Sequence, residues 1–290
     1  MKKTLTAWRR AGGFTLLELL TAITVLTLML LLVVNMTGSV NDVVSHQKKQ
    51  MDSIGSARAA LDTLNADLNS LVTLGGTTLL FKPGDATVSD ELRFLTNTRS
   101  ANGVARPRMM LVKYRIETHH DHALEVDHPV FVRGVTALSW PANSAASVPD
   151  YDFATTLANA TIDENSVASS AMFRLEIVWL RKDGEVSRDP RGTSPSGSAD
   201  APTSQGYYWI NLKEVAGFVV SVVAMDGGSM RRVAEAEEID QLRESFGSLK
   251  LTDEGILPAD EWSKAMATVA PEYARKDLRI LSRTYFFPNQ

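Results

Sequence analysis

The sequence predicts an α+β fold: a long N-terminal helix, first membrane-spanning and then amphipathic, packs on an antiparallel β-sheet head with extra C-terminal helices. Three observations predict it. Leu19–Val34 is an uncharged, almost wholly apolar run. A helical stripe follows, with no proline between residues 14 and 74. Beyond Gly75-Gly76, short β-branched and aromatic segments alternate with turn signals.

The apolar run belongs to a longer stretch, FTLLELLTAITVLTLMLLLVVNM, from Phe14 to Met36. About 20 apolar residues cross a bilayer as a helix, so residues 14–36 are expected to span one. Lys2, Lys3, Arg9 and Arg10 precede the span and no acid accompanies them. That asymmetry predicts a cytoplasmic N-terminus and places residues 75–290, the head, on the far side of the inner membrane.

Residues 37–74 continue the helix. Val40, Val44, Gln47, Met51, Ile54, Arg58, Leu61, Asn65 and Leu68 recur at steps of three or four, with polar gaps at Gln47, Arg58 and Asn65, and Leu64 and Leu71 widen the stripe. Gly75-Gly76 is the expected stop. Strands are expected over Leu79–Phe81, Glu91–Leu95, Met109–Glu117, His122–Glu125, Pro129–Trp140, 172–180, 207–212, 215–225 and 278–287. The unbroken apolar VVSVV within 215–225 marks a central strand. Lys182-Asp183-Gly184 reads as a tight turn before Glu185-Val186. Residues 141–170 and 187–206 are rich in small and polar residues and read as surface loops. Two charged helical segments, Arg231–Phe246 and Pro258–Ala274, precede the last strand.

The 290 residues hold no cysteine, which excludes disulfides and thiolate metal sites. The formal charge is −4. Residues 1–13 carry four of the 30 basic residues and none of the 34 acidic ones, so the remainder has a balance of −8. No nucleic-acid partner is expected of so acidic a chain.

Glu18 breaks the apolar rule inside the span. A carboxylate facing lipid costs a few kcal/mol on insertion scales, roughly, and marks function with a partner nearby. A Sec signal cut near Thr37-Gly38-Ser39, or a plain uncleaved anchor, would account for the apolar run but leaves Glu18 unexplained.

The basic leader, GFTLLELL and the long apolar run together resemble the N-terminal signal of type IV prepilins and type II secretion pseudopilins. The resemblance implies cleavage by a prepilin peptidase after Gly13, which makes residues 1–13 a leader peptide. It also implies N-methylation of Phe14. Glu18 becomes the fifth mature residue, with the implied role of meeting the N-terminal amine of a neighbouring subunit, setting register and supporting methylation. ARAALDTLNADLNSLV (57–72), with Asp67-Leu68 near its end, ELRFL (91–95), LVKYRIE (111–117) and FVRGVTALSW (131–140) resemble J-type minor pseudopilins more loosely. FVVSVVAMD and LRILSRTYFF resemble the pilin-like C protein of the Verru_Chthon cassette family. The implied partners are other pilins or pseudopilins, the peptidase, an inner-membrane assembly platform and membrane lipid. Assembly would carry the head outside the cell.

Candidate chemistry in the head is sparse. His119, His120, His122 and His128 cluster with Asp121 and Asp127, but on a strand His119 opposes His120 and His122, so a polar hairpin end is expected rather than a metal site. Asp226, Glu235, Glu237, Glu238 and Asp240 are the acids that could hold calcium, and a solvated helix face explains most of them. There is no nucleophile elbow, zincin motif, P-loop or dinucleotide fingerprint. The expectation is therefore a structural subunit with no cofactor and no enzymatic activity. A filament-borne adhesin or substrate-binding module, using loops 141–170 and 187–206, is the alternative.

Overall fold

The computed structural model describes residues 15–72, 79–97, 109–122, 125–137, 164–189, 206–235, 238–249, 255–270 and 272–287. The chain divides into two units, residues up to Lys48 and residues from Lys49 onward. A single helix, α1 (Leu16–Asn69), contributes to both.

In the first unit every described side chain from Thr15 to Lys48 is exposed. That is the expected state of a helix whose leucines and valines have no protein to pack on.

In the second unit the same helix acquires a buried face: Ser53, Ala57, Ala60, Leu61, Leu64, Asp67 and Leu68. The expected stripe is right at Leu61, Leu64 and Leu68, and Arg58, one of its polar gaps, is exposed. Before it the stripe is misplaced: Met51 is 72% exposed and Ile54 only half-buried, whereas small Ser53 and Ala57 are buried. Close approach of the backbone to the sheets selects small residues there, a signal that a hydrophobic stripe does not register. The helix also ends at Asn69, before the glycine pair.

Among the described residues ten strands follow, in two antiparallel sheets rather than one. The first has the order β5-β4-β3-β2-β1-β8: β1 (Leu79–Lys82), β2 (Glu91–Thr96), β3 (Met110–Asp121), β4 (Val126–Ala137), β5 (Glu164–Ser169) and β8 (Tyr208–Trp209). The second has the order β10-β9-β6-β7: β6 (Met172–Arg181), β7 (Val186–Ser187), β9 (Val215–Met225) and β10 (Leu278–Phe286). Among the described residues, short helices complete the head: α2 (Gly227–Glu235), α3 (Ile239–Gly247), α4 (Pro258–Val269) and α5 (Glu272–Arg275).

The main core lies where α1 meets both sheets. Leu61 and Leu64 share it with Phe94, Tyr114, Phe131, Trp179 and Phe218. A second core covers the other face of the β6/β9 sheet, with Phe173, Val223 and Met225 packed against Met230, Phe246 and Trp262 of the C-terminal helices. β9 is therefore buried on both faces, which accounts for the valines that flank Ser221 on either side. The extra helices thus act as a cover for a sheet that would otherwise expose one apolar side.

Several expectations are corrected. The expected strand His122–Glu125 falls between β3 and β4 instead: His122 and Glu125 lie in turns, Glu125 at φ 53°, and residues 123–124 lie outside the described residues. The end of the expected loop 141–170 is β5, whose polar composition ENSVAS suits an edge strand and hid it. Residues 207–212 contribute only two strand residues. Each expected C-terminal helix is a pair of shorter ones. Trp140, residues 141–163, residues 190–205 and Gly75-Gly76 lie outside the described residues. The predicted tight turn is present: Gly184 takes φ 91°, which favours glycine, and Arg181 N–H donates to Glu185 O at 2.9 Å. Gly217 is needed for packing, since a Cβ there would come 2.1 Å from Tyr285 O on β10.

Candidate functional site

The first turn of α1 is built by a capping box. Thr15 is the N-cap: its Oγ1 accepts from Glu18 N–H at 3.2 Å, and Leu19 N–H donates to its carbonyl at 3.1 Å. Glu18 reaches back, its Oε2 accepting from Thr15 N–H at 3.4 Å and from Thr15 Oγ1 at 3.5 Å. The carboxylate thus lies over the positive end of the helix dipole, which favours an anion. Thr-x-x-Glu is a readable sequence signature, and the Thr15–Glu18 pairing is what reading Glu18 alone misses. Gly13 and Phe14 lie outside the described residues. Thr15, next in the chain to Phe14, is the residue that holds the carboxylate.

The hydroxyls of the apolar segment bond within the helix. Thr21 Oγ1 donates to Glu18 O, Thr24 to Leu20 O and Thr21 O, Thr27 to Ile23 O and Thr37 to Val33 O, at 2.8–3.1 Å. Each donor is therefore satisfied without water, the condition a helix in hydrocarbon must meet. The helix is long and apolar enough to cross a membrane, and none of its apolar window is buried by the rest of the chain.

In the head, Asp67 fastens the end of α1 to the first sheet. Its carboxylate is 4% exposed. It accepts from Tyr114 Oη at 2.5 Å, from Arg133 Nε at 2.7 Å and from Arg133 Nη2 at 3.0 Å. The fork is bidentate, the strong form of the carboxylate–guanidinium pair. Burial, and then the Asp67 charge, push the Tyr114 phenol well above its ordinary value. Tyr285 Oη adds a bond to Leu61 O at 2.9 Å.

A second polar network joins the sheets. Asp90 accepts from Gly84 N–H at 2.7 Å and Ile177 N–H at 2.6 Å. Glu176 pairs with buried Arg174 at 2.8 Å and with Arg188 at 2.9 Å. Burial raises the pKa of both carboxyls, and Arg188 opposes the rise. Arg174 and Glu176 are two residues apart on β6, but Asp90 and Arg188 reach them from separate segments, which no local pattern in the sequence discloses.

The four histidines do sit at a hairpin end. His119 faces His128 edge-on with centroids 5.7 Å apart, and His120 lies 4.9 Å from His122. His120 Nδ1 is 2.7 Å from Asp127 Oδ1. Burial and His119 lower the pKa of His128. Asp226 is occupied as the cap of α2, accepting from Gly228 N–H at 3.0 Å and Ser229 N–H at 3.2 Å. Among the described residues no group of three or more histidines and acids converges with the spacing a metal ion requires.

Residues 8–34 match the family model of the prokaryotic N-terminal methylation motif. Among solved structures, a type IV-like pilin from Thermus thermophilus matches at 9% identity and TM-score 0.37, over 80% of this chain and 94% of that one. No curated protein sequence matches the chain.

Proposed function

We propose that this type IV pilin-like chain is a minor pilin or pseudopilin, cut after Gly13 by a prepilin peptidase and assembled through α1 into a pilus or a type II secretion pseudopilus. One observation carries the reading: the methylation motif covers a helix that is apolar, exposed on every described face and opened by a capped glutamate. A leucine-rich surface of that extent needs a bilayer or neighbouring helices as its solvent. Glu18, held at the first turn beside the position of Phe14, is placed along the chain to receive the amine of a mature N-terminus. A carboxylate–ammonium pair removes the cost of leaving that charge alone in hydrocarbon.

The head supports a minor rather than a repeating subunit. Two sheets and the added C-terminal helices make a bulky cargo to accommodate around each helix of a crowded rod. The fastening of α1 to the first sheet at Asp67 suits a structural subunit. Partners are then other pilins, the inner-membrane assembly platform and membrane lipid, with the N-terminus cytoplasmic and the head periplasmic.

The test is co-expression with a peptidase and a partner pilin set, followed by isolation of assembled filaments. Wild type and Glu18→Ala should both be cut, and Glu18→Ala should be lost from the filament fraction. Incorporation of Glu18→Ala at the wild-type level would refute the proposed role.

A further inference from the structure

The described strands leave four sheet edges, and they are unequal. β7 and β8 are two residues long. β5 has six residues, and its pairing with β4 shifts register between Phe131 and Val132. β10 has nine, paired with β9 along its whole length with no shift and no proline. Natural sheets keep their edges short, bulged or interrupted, because a long regular edge is a template for a further strand. β10 has none of these three devices.

Phe287 N–H donates to Ala216 O at 3.1 Å, in line with the Phe286–Gly217 pairing. Antiparallel ladders alternate, so Arg279, Leu281, Arg283 and Tyr285 turn their backbone groups to β9. Ile280, Ser282, Thr284 and Phe286 turn theirs outward. Leu278 also faces out, but its carbonyl accepts from Arg279 Nη1 at 2.6 Å. Among the described residues nothing pairs with the outward backbone groups from Ile280 to Phe286.

The side chains of β10 alternate between two faces. Leu281 and Tyr285 pack toward the main core, and Arg283 on the same side bonds Asp62 of α1. Arg279, also on that side, donates to the carbonyls of Lys276 and Leu278. On the other side Leu278 and Ile280 meet the C-terminal helices. Past Ile280 that cover ends, and Ser282, Thr284 and Phe286 stand at the surface, Phe286 70% exposed. We propose that the outer edge of β10 docks an extended strand of another polypeptide, one that alternates acidic with apolar residues.

Outward donors and acceptors at every second residue fit an extended strand rather than a helix. The side chains set its chemistry. Acids on one face meet Arg279 and Arg283, of which only Arg283 has a carboxylate contact, from Asp62. Apolar residues on the other face cover Phe286 beside Thr284. A second copy of β10 is a poor occupant. Aligned antiparallel over all nine residues, it sets Arg283 opposite the copy's Leu281 and diagonal to both of the copy's arginines, roughly 7–8 Å away. The next register on either side sets arginine directly opposite arginine, which is destabilising. The other edges of this chain are too short or too irregular to match β10.

The probe is a short fluorescent peptide alternating glutamate with valine, titrated against the full chain in detergent and read by anisotropy. Binding is expected, with slowed amide exchange over residues 280–286. Directly opposed residues share a face, so the valines, opposite Ser282 and Thr284, turn their N–H groups to β10. N-methylation of the valines should therefore abolish binding, and N-methylation of the glutamates should spare it. Thr284 turns its N–H away from β9, so Thr284→Pro removes a docking donor and leaves the ladder whole. It should weaken the peptide by about tenfold at an unchanged urea midpoint. A lysine–valine peptide should bind more weakly by a similar factor.

If Thr284→Pro shifts the urea midpoint, the two methylated peptides on the wild-type chain carry the test instead. No binding of the glutamate–valine peptide, or equal binding of its valine-methylated form, overturns the docking edge. Equal binding of the lysine–valine peptide overturns the acidic assignment. Self-association of the full chain that Thr284→Pro abolishes would give the edge to a second copy and overturn the assignment to another polypeptide. None of these outcomes bears on cleavage after Gly13 or on the role of Glu18.

Discussion

Asp67→Ala is expected to unfasten α1 from the first sheet. The substitution deletes a buried carboxylate that takes three bonds from Tyr114 and Arg133. It leaves the Tyr114 hydroxyl in a core that is almost fully closed and a guanidinium only 23% exposed. Removing one partner of a buried pair costs about 3–5 kcal/mol, and the partial solvation of Arg133 places this case near about 3 kcal/mol. Arg133 Nε retains its 3.2 Å contact with Tyr114 Oη, which limits the loss further. Tyr114→Phe removes one bond to a charged acceptor and should cost about 1.5–3 kcal/mol. The double variant should cost less than the two singles together, by about 1 kcal/mol or more, because the hydroxyl has no acceptor to lose once Asp67 is gone. The assay is urea unfolding of the full chain in detergent, followed by tryptophan emission. Additive costs, or a loss below about 1 kcal/mol for Asp67→Ala, would refute the claim that these residues form one fastening.

Three further outcomes are expected. Thr15→Val should cost the helix start about 1 kcal/mol, seen as roughly fivefold faster amide exchange over residues 16–19 in micelles, and Thr15→Ser should restore protection. Leu64→Ala, at a site 1% exposed, should lower stability by about 2–5 kcal/mol, while Met51→Ala, 72% exposed, should change it little. Arg188→Gln should destabilise the head by about 1–2 kcal/mol at pH 7, a figure discounted because Arg188 is a third exposed. The sign with pH follows from the raised pKa of Asp90 and Glu176. Their contribution is fully present below the unfolded carboxyl value of about 4 and is lost as pH rises, so Arg188 matters most when both are ionised. The penalty should shrink as pH falls toward 4; a penalty that grows on acidification would contradict the assignment.

The features legible in the sequence were those with local causes. The apolar span and the methylation motif lie within one short stretch, and period-two or unbroken apolar runs marked β3, β4, β6, β9 and β10. The buried face of α1 was misread where alanine and serine, not leucine, meet the sheets. β5 was missed because an edge strand tolerates polar residues. The partition into two sheets was not readable, because nothing local in β9 says that β6 and β10 rather than β4 flank it. The Asp67 and Asp90 networks depend on partners from distant segments, and burial, not residue type, gives them their strength. The Thr15–Glu18 capping box is the opposite case: a local signature that attention to the isolated charge passed over.

The central claim is that this is a prepilin-type chain whose helix is released at Gly13. The direct measurement is the intact N-terminal mass of the protein from a host with a prepilin peptidase, beside Gly13→Ala. A mature chain beginning at N-methylated Phe14, absent in the variant, is the predicted result. An N-terminus at Met1, or a cut near Ser39, would contradict it.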